Sequence, residues 1–86
     1  MFKVTFTKDA AKYYEKSDKN TKRLLNQCFE VLKNTPFSGS NVKKLHGELE
    51  GFYRYRVGKL RVVYTVKNEN ITVIVLAIGS RGDIYK

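Results

Sequence analysis

Three arginines sit where they could share one anion: Arg54, Arg56 and Arg61, within the alternating segment GFYRYRVGKLRVVYTV of residues 51–66. Gly58 at the first central position suits a type II′ hairpin turn, which makes Val57 and Leu60 the flanking pair. Counting outward, Arg56 faces Arg61, Tyr55 faces Val62, Arg54 faces Val63 and Tyr53 faces Tyr64. Because side chains alternate across a strand, Tyr53, Tyr55, Val57, Leu60, Val62, Tyr64 and Val66 are expected on one face, and Phe52, Arg54, Arg56, Arg61, Val63 and Thr65 on the other. Like charges directly opposed across an antiparallel pair destabilise it by up to roughly 1 kcal/mol. Nothing nearby in sequence neutralises Arg56 and Arg61, so an anion supplied from outside would resolve the conflict. Guanidinium groups suit phosphate, since their planar donors bind it bidentately. A solvated polar face is the commoner use of such a pattern, but three charges of one sign favour a binding surface.

The elements that must hold this hairpin follow from periodicity. Residues 2–6, FKVTF, alternate and predict a strand with Phe2, Val4 and Phe6 facing inward. Thr7 is a plausible N-cap for a short helix with Asp9 in its first turn and Ala10, Ala11 and Tyr14 available for packing. After a break near Ser17 to Asn20, TKRLLNQCFEVLKN places Leu24, Leu25, Cys28, Val31 and Leu32 on one helical stripe. Pro36 should end that helix, and residues 37–50 are expected as a loop. The final strand is expected from Ile71 to Ile78, apolar on both faces and therefore central. With Lys67 opposite Ile71, Ala77 would lie beside Arg61. The order β-α-α-β-β-β is an α+β arrangement, two N-terminal helices on one face of a mainly antiparallel four-stranded sheet. The arginines would occupy the helix-free face.

Composition bounds the function. The chain of 86 residues has 17 Lys and Arg against 8 Asp and Glu, a net charge of +9, and a sequence pI near 9.8. That balance predicts nucleic acid or an acidic protein as partner. The length predicts one domain over residues 1–86 without room for a cofactor-binding fold, so no cofactor is expected. No apolar run approaches the roughly 20 residues of a bilayer span and no signal-peptide core precedes the first strand, which predicts a cytoplasmic protein with no membrane partner. One Cys and one His are too few for a metal site. Cys28, within a helical stripe, is expected to pack rather than react.

Taken in order, the KLHGEL loop, the YRYRVGKLRVVYTV hairpin and the AIGSRGDIYK end resemble the RelE/ParE toxin superfamily of toxin–antitoxin systems. The resemblance covers essentially the whole chain, and is closer to the RelE-type ribosome-dependent mRNA endonucleases than to the gyrase-poisoning ParE branch. It implies cleavage of A-site mRNA by attack of a 2′-hydroxyl on the adjacent phosphate. Arg61 and Arg81 match the family's phosphate-binding arginines, and Tyr85 its near-terminal base-orienting tyrosine. Arg54 and Arg56 stand where the best-known member has lysines, and Ser80 stands where some relatives carry a histidine. Arginine effectively cannot lose its proton, so the general base is left open among His46, Tyr85, Lys43 and Lys44. Lys43 and Lys44 are expected mainly to contact ribosomal RNA. The resemblance further implies an acidic antitoxin covering the basic surface. The competing functions are noncatalytic inhibition of DNA gyrase and noncatalytic RNA binding.

Overall fold

The computed structural model describes residues 1–80. Strand β1 (Lys3–Phe6) leads into helices α1 (Lys8–Lys16) and α2 (Lys19–Asn34), followed by strands β2 (Val42–Lys44), β3 (Phe52–Val57), β4 (Leu60–Lys67) and β5 (Thr72–Ser80). The sheet runs β1-β5-β4-β3-β2, with β1 parallel to β5 and every other pair antiparallel. The α+β class and the helix pair therefore stand, while the sheet has five strands, not four. The additional strand is Val42–Lys44, inside the segment expected as a loop. Its three residues are too few to show a period of two, and it exists because β3 offers it an edge to pair with.

Both helices start on side-chain caps. Thr7 accepts from the Ala10 amide at 3.3 Å, and Asp18 accepts from the Thr21 amide at 2.8 Å. Asp18 lies within the expected break, so α2 begins two residues before the expected Thr21. Thr7 also donates its hydroxyl to the Leu76 carbonyl at 2.7 Å, tying the start of α1 to the sheet.

The buried face of α2 is Leu25, Cys28, Phe29 and Leu32. Phe29 replaces Val31 in the expected stripe, and Val31 is 37% exposed. At 3.6 residues per turn, Leu25, Cys28, Phe29 and Leu32 share one line and Val31 falls on its flank. These side chains meet Tyr55, Leu60, Val62 and Tyr64 of the hairpin and Val73, Val75 and Ile78 of β5 in one core. Phe6 points to this side too, but as part of an edge strand it remains 42% exposed.

Tyr64 is fully buried. Its hydroxyl donates to the Pro36 carbonyl at 2.7 Å, which satisfies the one polar atom the core would otherwise strand. Burial pushes its phenol pKa well above the usual range. Tyr53 stacks on it with ring centroids 5.5 Å apart.

The hairpin register is the expected one throughout, from Tyr53 opposite Tyr64 to Val57 opposite Leu60. Gly58 has φ of 58°, the left-handed value that the turn requires. The β4–β5 register differs. Lys67 faces Thr72, and a bulge between Val63 and Tyr64 shifts the pairing again, so Gly79 and not Ala77 lies opposite Arg61. Ile71 is not in β5 but adopts φ of 49° in the preceding turn.

Candidate nucleic-acid interface

Two adjacent rows of the sheet gather the cations. In one, Lys43 pairs with Arg54, Arg54 with Val63, and Val63 with Ala77. In the next, Arg56 pairs with Arg61 and Arg61 with Gly79. Partners in register point to the same face, and the face opposite Tyr55 and Val62 is the helix-free one. Arg54, Arg56, Arg61 and Lys43 therefore converge there, contributed by three neighbouring strands.

No carboxylate neutralises them within the described structure. The ion pair among the described residues is Lys33–Glu30 at 3.1 Å, on the outside of α2. The Nε of Arg54 is buried without a hydrogen-bond partner among the described residues, a cost that the surrounding packing bears. Val63, only 4% exposed, and Leu45 lie outside the main core cluster, so the arginine face is floored by apolar side chains. Gly79, opposite Arg61, places no side chain between that guanidinium and a ligand. The result is a cationic patch over an apolar floor, whose donors have the chemistry to clamp a phosphodiester and stabilise added negative charge on phosphorus.

The other expected site residues separate. Lys44 pairs with Tyr53, so it projects to the opposite face of the sheet from Lys43. His46 is exposed and sits at the start of a short 3-10 turn, Gly47–Leu49. Three extended residues place its backbone about 10 Å along the sheet from Lys43 and further from the Arg56–Arg61 row. Arg81 and Tyr85 lie outside the described residues. The division of Lys43 from Lys44 was missed in the sequence, because VKKL carries no alternation and the two faces are set only by the pairing of β2 with β3.

Among the described residues no group of His, Cys, Asp and Glu could hold a metal ion, and no helix is long and apolar enough to cross a membrane. Cys28 is buried, and desolvation pushes its thiol up to about 12, so it stays protonated and inert. A cavity of about 300 Å³ lined by Phe6, Ala11, Tyr14, Glu15, Asn26 and Phe29 lies on the helix side and takes no part in the cationic face.

A two-helix layer on a mainly antiparallel five-stranded sheet is the RelE-like architecture. It superposes on the archaeal RelE–RelB complex from Pyrococcus horikoshii OT3 with a TM-score of 0.80 and 26% identity, covering 95% of this chain and 97% of that one. For the RelBE2 toxin–antitoxin complex of Mycobacterium tuberculosis the TM-score is 0.73 with 29% identity, over 95% of this chain and 93% of that one. The family described as ParE toxin of type II toxin–antitoxin system, parDE, matches residues 1–85, and the chain belongs to that family. Toxin RelG of Mycobacterium tuberculosis (strain ATCC 25618 / H37Rv) is 39% identical over 44 residues, a match spanning 51% of this chain and 51% of that toxin.

Proposed function

We propose that this chain is a ribosome-dependent mRNA endonuclease, the toxin of a toxin–antitoxin pair, acting in the cytoplasm without cofactor. The observation that carries the reading is the gathering of Lys43, Arg54, Arg56 and Arg61 on one face with no neutralising carboxylate among the described residues. Such a face fits the chemistry of RNA self-cleavage. The 2′-hydroxyl attacks the adjacent phosphorus, the bond to the 5′-oxygen breaks, and the crowded phosphorane carries two negative charges that fixed cations stabilise. Arg61 with Arg56 would hold the nonbridging oxygens, with Arg54 on the flanking phosphate. Arg81 would join them and Tyr85 would orient a base, as the family resemblance implies. His46 would contact the strand further along. The ribosome supplies alignment of the 2′-oxygen with phosphorus, which so open a face cannot impose by itself.

The partner that restrains it would be an acidic antitoxin laid over the same cations, since opposite charge speeds encounter and covering the face blocks RNA. Relatives of this fold are seen in complex with RelB-type antitoxins, which supports the pairing.

A gyrase-directed activity is the second reading, favoured by the match to the ParE family. The two separate cleanly. Purified protein added to programmed ribosomes is expected to cut message at the A-site codon, and Arg61→Ala to slow cutting by about 100-fold or more, the size of effect that follows loss of one preorganised charge donor. Intact message together with blocked DNA supercoiling would establish the gyrase reading instead.

A further inference from the structure

Resting on the endonuclease reading, we infer that Lys43 is the proton donor to the leaving 5′-oxygen. On the cationic face three of the four gathered groups are guanidinium, which holds its proton too tightly to give it up. The departing alkoxide nevertheless needs a proton. Lys59 sits in the β3–β4 turn, outside the paired register that defines that face; among the described residues placed on the face by pairing, the other groups able to supply one are Lys3 and Lys67, which share the row of Thr72. Lys67 is six residues along β4 from Arg61, about 20 Å in an extended chain. Lys43 is directly beside Arg54, one row from the Arg56–Arg61 pair.

Its position also suits delivery. Strand β2 forms the edge of the sheet and Lys43 is exposed, so its flexible four-carbon stem can swing over the arginine rows from the side while the guanidinium groups stay fixed. Lys44 is turned to the other face and His46 is displaced along the sheet, which removes both from the same task. The step balances without a further reagent. The bond from O2′ to phosphorus forms as the bond from phosphorus to O5′ breaks; water accepts the 2′-hydroxyl proton, Lys43 gives its proton to O5′, and the protonated water restores it. The products are a 2′,3′-cyclic phosphate and a 5′-hydroxyl.

A lysine on an exposed sheet edge also discourages strand addition by other chains, a duty arginine performs as well. The test uses that difference. Lys43→Arg and Lys43→Met are assayed in single turnover on programmed ribosomes, with natural message and with message carrying sulfur in place of the 5′-oxygen at the scissile bond. A thiolate leaves without a proton. Both variants are expected to lose about 100-fold or more on natural message, the range of general acid catalysis, and Lys43→Arg to return to near the wild-type rate on the sulfur substrate. Full activity of Lys43→Arg on natural message, or an equal loss on both substrates, would overturn the assignment while leaving the endonuclease reading intact. Failure of the unmodified protein to cut either message would overturn both.

Discussion

Individual residues in this chain carry two opposed kinds of strain. At the cationic face, Arg56 opposite Arg61 is a like-charge pair with no carboxylate partner among the described residues, the kind of local conflict that gathers at functional sites. In the turn between β4 and β5, Ile71 takes φ of 49° while half-exposed, and its carbonyl accepts from the Lys3 amide at 2.9 Å. A β-branched side chain in the left-handed region crowds its own backbone, at a cost of roughly 1–2 kcal/mol. Ile71 closes the turn between β4 and β5, away from the arginine rows, so its strain is a matter of turn geometry. Ile71→Gly is expected to stabilise the protein by about 0.5–1 kcal/mol, the relief of that crowding less the greater freedom of glycine in the unfolded chain. Urea denaturation with an unchanged slope and a raised midpoint would register it. An unchanged or lowered midpoint would mean that the side chain's contacts outweigh the strain.

Among the elements, α2 depends on its first turn. The Thr21 backbone amide, and then its hydroxyl, hold the Asp18 carboxyl below its ordinary value. A folded-state pKa below the unfolded one adds stability above the unfolded value, and this contribution disappears as pH falls through the folded value. Asp18→Asn retains an acceptor for the Thr21 amide but cannot titrate. Its stability is expected to decline less than that of the parent protein between pH 5 and pH 2, as followed by thermal unfolding monitored at the helix band. Parallel declines would show that Asp18 contributes nothing to the acid response. The elements also show where local pattern runs out. Thr7 as N-cap, the end of α2 before Pro36 and every pairing within the β3–β4 hairpin were legible from neighbouring residues alone. The choice of Phe29 over Val31, and the existence of β2, were not, because each is decided by what the opposing layer offers.

For the whole molecule, the net charge of +9 matters less than its distribution. Four cations, Lys43, Arg54, Arg56 and Arg61, lie together on the side of the sheet away from the helices. If each neutralises one phosphate of a single strand, the logarithm of ribosome affinity should fall with the logarithm of salt at a slope of about −3, or about 50-fold between 50 and 200 mM. Arg61→Ala should shallow that slope by about 0.7. Fluorescence titration of labelled protein against programmed ribosomes measures both quantities, and a slope near zero would remove the phosphate contacts from the account. The amino-acid sequence by itself determined the helix pair, the hairpin with its register, and the sharing of one face by three arginines, because turn geometry and a side-chain period of two act between near neighbours. Only the tertiary structure decided that β2 adds a fifth strand, that Lys43 and Lys44 part to opposite faces, and that a bulge brings Gly79 to Arg61. Those outcomes depend on pairings between residues distant in the chain, whose geometry is set by a shared core and not by adjacent residues.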